Sequence, residues 1–126
     1  MLFSLGLMPA LLRDQTSNLR YLTQFRTMVY HDFIESLKDS SPPDSLSEYL
    51  KALWHDSQGN WHKAHDIADK TGGEMGDLIH AYLHRKEGDQ WNASYWYRRA
   101  NRPVSKNSLK EEWEELVKEC LTMQEI

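Results

Sequence analysis

The stretch HAYLHRKEGDQWNASYWYRRA, residues 80–100, decides the fold of this 126-residue chain. Gly88 and Asp89 interrupt a run of residues with helical periodicity. A glycine ends a helix in the left-handed conformation, and an aspartate after it caps the next helix by accepting a bond from a backbone N–H. The stretch therefore predicts two helices joined by a tight turn, from Asp77 to Lys86 and from Gln90 to about Ala100.

A similar pattern occurs 29 residues earlier in the chain. Residues 52–64, ALWHDSQGNWHKA, align with residues 81–93, AYLHRKEGDQWNA, so that Ala, His, Gly and Ala coincide. Asn60 occupies the capping position that Asp89 holds in the second copy. The alanine five residues after each glycine lets paired helices approach closely. The pattern predicts a repeated helix–turn–helix unit.

Apolar residues at spacings of three and four predict the other helices. We read Ser45–Glu48 and Ser108–Glu111 as capping boxes, in which a serine hydroxyl and a glutamate carboxylate satisfy free N–H groups at a helix start. The expected fold is all-α, an array of antiparallel helical hairpins with about six helices and no strand. The remaining helices are expected over Ser17 to about Lys38, from Leu46 to the break at Ser57, over Trp61–Lys70, and from Ser108 onward.

The sequence predicts one helical domain over residues 17–126, preceded by a poorly packed segment or upstream extension at residues 1–16. The apolar run Leu2–Leu12 is shorter than the ~20 residues that span a bilayer. It also lacks the basic region and the cleavage site of a secretory signal. We therefore expect a cytoplasmic protein without a membrane segment. As a third and weaker hypothesis, the apolar N-terminus would dock a purely structural subunit onto a partner.

Composition excludes several classes of function. Fifteen Lys and Arg against nineteen Asp and Glu give a net charge of −4, which argues against nucleic-acid binding by phosphate neutralisation. The one cysteine, Cys120, excludes an internal disulfide and a cysteine-based zinc site. It falls on the apolar stripe of the last helix and is expected to be an inert core thiol.

Two histidines one turn apart, His80 and His84, form a polar stripe on the helix that begins at Asp77. Histidines at positions i and i+4 can bind one divalent metal ion from a single helix, and Glu87 would supply a third ligand or a general base. The alternative is a solvated polar face. The stripe lies opposite the apolar arc, so both rings should point outward unless the N-terminal or the final helix covers them.

His65 and Asn92 lie on the helices before and after this one, among aromatic residues. A core histidine satisfied by a carbonyl or carboxylate is the alternative for His65, and a bond to the turn at residues 87–89 is the alternative for Asn92. If these side chains converge, they line a cleft with aromatic walls from Trp91, Tyr95 and Trp96. The expected ligand-binding residues are His65, His80, His84, Glu87, Asn92, Tyr95 and Trp96; the catalytic candidates are His65, His84 and Glu87, and the metal ligands are His80 and His84.

The motif also carries a resemblance. The sequences GNWHKA at residues 59–64 and GDQWNA at residues 88–93 resemble the turn and second helix of tetratricopeptide or Sel1-like repeats, although the period is shorter than ~34 residues. From about Leu46 to Leu121 the chain looks like a widespread group of small uncharacterised proteins with an HxxLHRxEGDxxNAxYWYRRA-type motif. The first resemblance implies a helical hairpin array, and the second implies no activity.

Two functions from different classes follow. The first is a small binding module that holds a peptide or a small ligand in a groove between helical hairpins, because stacked hairpins create concave surfaces. The second is a metal-dependent or acid–base enzyme built on the His/Glu/Asn cluster, with a divalent metal ion as its cofactor. The sequence contains no phosphate-binding glycine loop and no GxSxG nucleophile elbow.

Overall fold

A computed structural model describes residues 29–125 of the chain. This part is all-α, as expected, and contains no strand. The predicted segment at residues 1–16 and the first part of the predicted N-terminal helix lie outside the described residues. The helices are α1 (residues 29–36 of the described part), α2 (Glu48–Ser57), α3 (Trp61–Thr71), α4 (Gly73–Lys86), α5 (Gln90–Arg99) and α6 (Leu109–Glu125).

The turns that contain the two glycines have the same conformation. Gly59 has a φ of +82° and Gly88 a φ of +90°, which a residue with a side chain adopts only with strain. Asn60 caps α3 by accepting a bond from the Lys63 N–H, and Asp89 caps α5 by accepting one from the Asn92 N–H. Consequently α2 packs against α3 and α4 packs against α5.

Three local expectations are wrong at the ends of helices. The N-cap of α2 is Ser47, whose hydroxyl accepts from the Leu50 N–H, so the capping box expected at Ser45 does not form. The first helix ends at residue 36 instead of Lys38, because its last residues form a tighter turn. The capping box at Ser108 is confirmed, since Ser108 and Glu111 each accept a bond from the other's backbone N–H.

The third correction concerns the start of α4, which begins at Gly73 and not at Asp77. Gly72 has a φ of +63° and reverses the chain within one residue, so no loop is needed between α3 and α4. A Cβ at Gly76 would lie 3.0 Å from the Ala68 carbonyl oxygen, so the two helices touch through backbone at this point. Because Gly76 has no side chain, it permits this contact. Helix α4 therefore starts at Gly73, before the position that the sequence predicts.

Helix α4 lies at the centre of the molecule and contacts α2, α3, α5 and α6. Every residue from Leu78 to His84 is buried, so this helix has no solvated face along those two turns. Indole N–H groups fix the helices around it. Trp54 of α2 donates to the Ser36 carbonyl at 3.1 Å, and Trp113 of α6 donates to the Leu53 carbonyl at 3.1 Å.

Two buried carboxylates link the outer helices to α4. Glu112 of α6 accepts from Arg85 at 2.7 Å and from the Tyr97 hydroxyl at 2.6 Å. Asp56 of α2 accepts from the Tyr82 hydroxyl at 2.8 Å and from Lys86 at 2.9 Å. Burial and then the nearby carboxylate raise the pKa of both tyrosines, so each remains a hydrogen-bond donor.

The first prediction concerns Glu112. Glu112→Gln leaves the Arg85 guanidinium without its counter-charge in the interior, and we expect the free energy of unfolding to fall by about 3 kcal/mol in a urea titration. The matched control Glu115→Gln changes an exposed side chain and should alter stability by less than about 0.5 kcal/mol. Equal losses in the two variants would contradict the role assigned to Glu112.

Candidate functional site

Three histidines from α3 and α4 meet in the interior. Each of His65, His80 and His84 offers one ring nitrogen, and these atoms all lie within 4.8 Å of one another. His65 meets the other two rings edge-on, with centroids at 4.3 Å from His80 and 5.2 Å from His84. The sequence places the two α4 histidines one turn apart, and their rings stack with centroids at 4.9 Å. The structure therefore brings all three expected histidines together.

His80 is buried against α5 and not turned outward. Its ring lies flat on the indole of Trp96, with a centroid distance of 3.8 Å and an interplanar angle of 11°. The expectation that His80 and His84 oppose the apolar face, to be covered only by the first or the last helix, is wrong. Trp96 of α5 covers the His80 ring, and Trp61 and His65 of α3 lie against the His84 ring.

Trp61 supports the cluster from the start of α3. Its ring stacks on His65, one turn later, with centroids at 4.9 Å and an interplanar angle of 18°. Its indole N–H donates to the Leu83 carbonyl at 2.8 Å, which fixes the first turn of α3 against α4. Trp61 also meets the edge of His84 at 5.8 Å. The spacing of four residues places Trp61 on the same helix face as His65, which predicts the partial burial of the histidine ring but not its stacking on the indole.

Glu87 orients one of the metal-ligand candidates. Its Oε2 lies 2.7 Å from Nδ1 of His84, so the carboxylate accepts the proton of that nitrogen. Nε2 of His84 is then the ring nitrogen with a free lone pair. This arrangement is typical of metal-binding histidines, whose second nitrogen donates to a carboxylate. Glu87 thus contacts the three-histidine cluster through His84. It also forms a second group of close donor atoms with His84 and Asp89, so its expected role as a ligand or a general base stays a prediction.

A second carboxylate, Asp69, lies beside His80. Its Oδ1 is 4.0 Å from Nδ1 of His80, too far for a hydrogen bond but close enough to act on the charge of the ring. Asp66 lies at the same distance, 4.0 Å, from Nδ1 of His65. Asp69 was missed in the sequence, where its position four residues after His65 was the available signal.

Burial favours the neutral form of two of the imidazoles. Burial, together with repulsion from the neighbouring His65 and His84 rings, lowers the pKa of His80 from 6.5 to about 4. Burial and His84 also lower the pKa of His65, while Asp69 and Asp66 act in the opposite direction. His65 and His80 are therefore neutral nitrogen donors near neutral pH.

The other expected residues make contacts outside the group of three histidines. The Asn92 amide donates to Asp89 at 3.3 Å, which is the alternative of a bond to the turn. Tyr95 is half-exposed and meets Trp96 edge-on at 5.3 Å. Trp91 is 81% exposed and is not a wall of a cleft. Asp77, expected on the histidine stripe, lies 3.6 Å from Arg99.

The remaining observations bear on the alternative functions. Cys120 is buried, and burial raises the pKa of its thiol to about 12, so it is an inert core residue as expected.

A cavity of about 540 Å³ between α1, α2, α4 and α6 shares no lining residue with the histidine cluster. The groove expected along the histidines stays a prediction. Among residues 29–125, no helix has the length and apolarity to cross a bilayer.

Comparisons with protein-family models, with curated proteins and with solved structures find no significant match for this chain. The resemblances noted above therefore stay predictions. The function of the protein is therefore inferred from its own side chains.

The second prediction concerns the stability of the metal-free protein at low pH. His80 is neutral in the folded state down to a pKa of about 4 but protonates near 6.5 in the unfolded chain. Between these values the unfolded chain binds more protons, so the free energy of unfolding falls as the pH is lowered. The shift corresponds to on the order of 3 kcal/mol.

Chemical denaturation in EDTA between pH 7 and pH 4 measures this loss of stability. His80→Phe keeps a flat ring against Trp96 and should reduce the dependence on pH. Replacing the exposed His62 by Gln is the matched control and should leave that dependence unchanged. Identical pH profiles for the His80 variant and the wild-type protein would refute the assignment.

Proposed function

We propose that this protein binds a divalent transition metal ion, of which zinc is the model case, through His65, His80 and His84. The observation that carries the proposal is the convergence of three imidazole nitrogens within 4.8 Å in the interior. A metal ion bound at this centre would be the cofactor of the second function given above, a metal-dependent enzyme.

The distances suit a transition metal after small adjustments of the rings. Zinc–nitrogen bonds of about 2.0–2.1 Å in a tetrahedral site place the donor nitrogens roughly 3.3 Å apart. The observed separations are at most 4.8 Å, so rotations about the side-chain bonds bring the nitrogens onto one ion. Helices α3 and α4 supply the three ligands and need not move apart.

The chemistry of the donors selects the class of metal. Imidazole nitrogen suits zinc, copper, nickel and iron, whereas magnesium and calcium prefer carboxylate and carbonyl oxygens. The lowered pKa values of His65 and His80 favour this binding, because a metal ion competes with a proton for the same lone pair. At pH 7 the rings of His65 and His80 therefore bind without a proton to displace.

The surroundings of the rings also support a metal centre. Glu87 orients His84, and Trp61 and Trp96 hold His65 and His80 in fixed planes. A ligand whose orientation is fixed before binding loses less side-chain entropy on coordination. The purely structural alternative is a set of core histidines, each satisfied by one partner. Glu87 is such a partner for His84, whereas the carboxylates beside His65 and His80 lie 4.0 Å away, beyond hydrogen-bond distance.

The third prediction tests binding directly. Isothermal titration of the metal-free protein with zinc should give one site per chain. At a free zinc concentration of 100 times Kd, the folded state should gain about 2.7 kcal/mol, seen as a higher Tm. His80→Gln combined with His84→Gln should abolish both effects.

His65→Gln is a second test variant, because His65 is only partly buried and the substitution spares the core of α4. It should weaken zinc binding strongly while the metal-free protein keeps its helical circular dichroism. The combined variant His55→Gln and His62→Gln is the control and should bind zinc as the wild type does. Unchanged zinc affinity in the His65 variant would contradict the proposed ligand set.

The fourth prediction concerns Glu87. Glu87→Ala removes the carboxylate that orients His84, and we expect zinc affinity to fall by about 10- to 100-fold without loss of the 1:1 stoichiometry. Glu74→Ala, on the exposed first turn of the same helix, is the matched control. If both variants bind zinc equally well, Glu87 has no role in orienting the ligand.

A further inference from the structure

We infer that the metal ion at this centre keeps one coordination position open, and that the position takes a small uncharged ligand which enters past His65 between acidic side chains. This inference rests on the proposed metal site and assigns it the kind of centre and the chemical class of its ligand.

The protein supplies three ligands to this metal centre. Within the described part of the chain, the donor group that contains His65 and His80 has only His84 as a further member. Glu87 is hydrogen-bonded to Nδ1 of His84, and the two form a separate donor group with Asp89, which accepts two bonds from Asn92. Asp69 lies 4.0 Å from Nδ1 of His80 but is not a member of the three-histidine group. Zinc centres with four protein ligands are structural, whereas centres with three keep a position for an exogenous molecule.

Exposure shows where that position opens. The side chain of His65 is 25% exposed, against 5% for His80 and 9% for His84. The two α4 rings close the site on the inner side, since Trp96 covers one of them and Trp61 touches the other. His65 is therefore the ring of the cluster that is most accessible to solvent, and we place the open position on its side of the site, along this edge of α3.

The residues at this edge carry negative charge. Asp66 and Asp69 are exposed residues of α3 that follow His65 by one and by four positions, and Glu87 is exposed in the α4–α5 turn. Each has a carboxylate oxygen near a ring of the cluster: Asp66 lies 4.0 Å from Nδ1 of His65, Asp69 lies 4.0 Å from Nδ1 of His80, and Glu87 lies 2.7 Å from Nδ1 of His84. The guanidinium of Arg99 lies over Trp96 and pairs with Asp77 at 3.6 Å.

The basic residues of α3 point elsewhere. Lys63 and Lys70 line a separate cavity between α2 and α3, together with Lys51 and His55. The approach to the histidines is thus bordered by carboxylates on both α3 and the α4–α5 turn. Such a border attracts the metal cation and offsets part of the attraction that the bound ion itself exerts on anions, so it shifts the preference of the open position towards uncharged ligands.

Cobalt(II) provides the test, because its visible absorption spectrum responds to the number and kind of its ligands. The cobalt-loaded protein is titrated at pH 8 with imidazole as the uncharged probe and with azide as the anionic probe. We expect a saturable spectral change with imidazole, and a change with azide that requires a higher concentration at low ionic strength.

Replacing the carboxylates of this border by amides tests the electrostatic part of the inference. Asp66→Asn combined with Asp69→Asn should strengthen azide binding by about five-fold at low salt and by less at high salt. Imidazole binding should change by less than about two-fold, since the probe has no charge for the border to repel. The matched control is Asp39→Asn combined with Asp44→Asn, which removes the same charge from the α1–α2 connection and should change neither affinity.

Each outcome has a distinct meaning. Cobalt binding with a spectrum that neither probe alters contradicts the open position and leaves the metal site itself intact. Azide binding as tight as imidazole binding, and unchanged in the variant without Asp66 and Asp69, contradicts the charge argument. Absence of cobalt binding contradicts the proposed function, and this inference fails with it.

Discussion

The stack of His80 on Trp96, with 3.8 Å between ring centroids, is the contact on which the rest of the site depends. It removes a titratable ring from water at the centre of the molecule, where an unbonded polar group costs several kcal/mol and an ionised one costs more. The ring is tolerated there more easily when it is neutral. The His65 and His84 rings pack against His80, so the three polar rings lie together.

The architecture around this contact follows from the central position of α4. Because α3 and α5 both pack on α4, they bring Trp61, His65 and Trp96 to the same level of the helix. The two glycine turns and the reversal at Gly72 keep the connections too short for the helices to separate. Glu87 belongs to one of these turns, so the element that joins α4 to α5 also orients His84. Fold and site thus share their determinants.

Much of the fold could be predicted because it is encoded by local signals. Gly59, Gly88 and their capping residues specify turns through backbone conformation alone, and Ser108 specifies its cap through neighbours three residues away. The errors arise where a distant contact decides between local options. Gly73 continues a helix because Gly76 touches the α3 backbone, a contact that the sequence around it does not reveal.

The residues of the site could be predicted from the sequence, but not whether their side chains face the solvent or the interior. A helical projection of α4 alone places His80 and His84 opposite the apolar arc and therefore in solvent, since it contains no information on what packs outside. Positions 29 residues apart also show why the repeat was a poor guide: His84 corresponds to His55, but His80 corresponds to Lys51 and His65 to Ser94. The two copies therefore share only one of the three histidines, and the packing of the helices brings the three together.

X-ray absorption at the zinc edge of the metal-loaded protein tests the central claim most directly, because it counts the ligands around the ion. Coordination by three histidines predicts a first shell of nitrogen and oxygen at about 2.0–2.1 Å, with the outer-shell scattering of three imidazole rings. A first shell made of carboxylate oxygens, or scattering from fewer than two imidazoles, would contradict it.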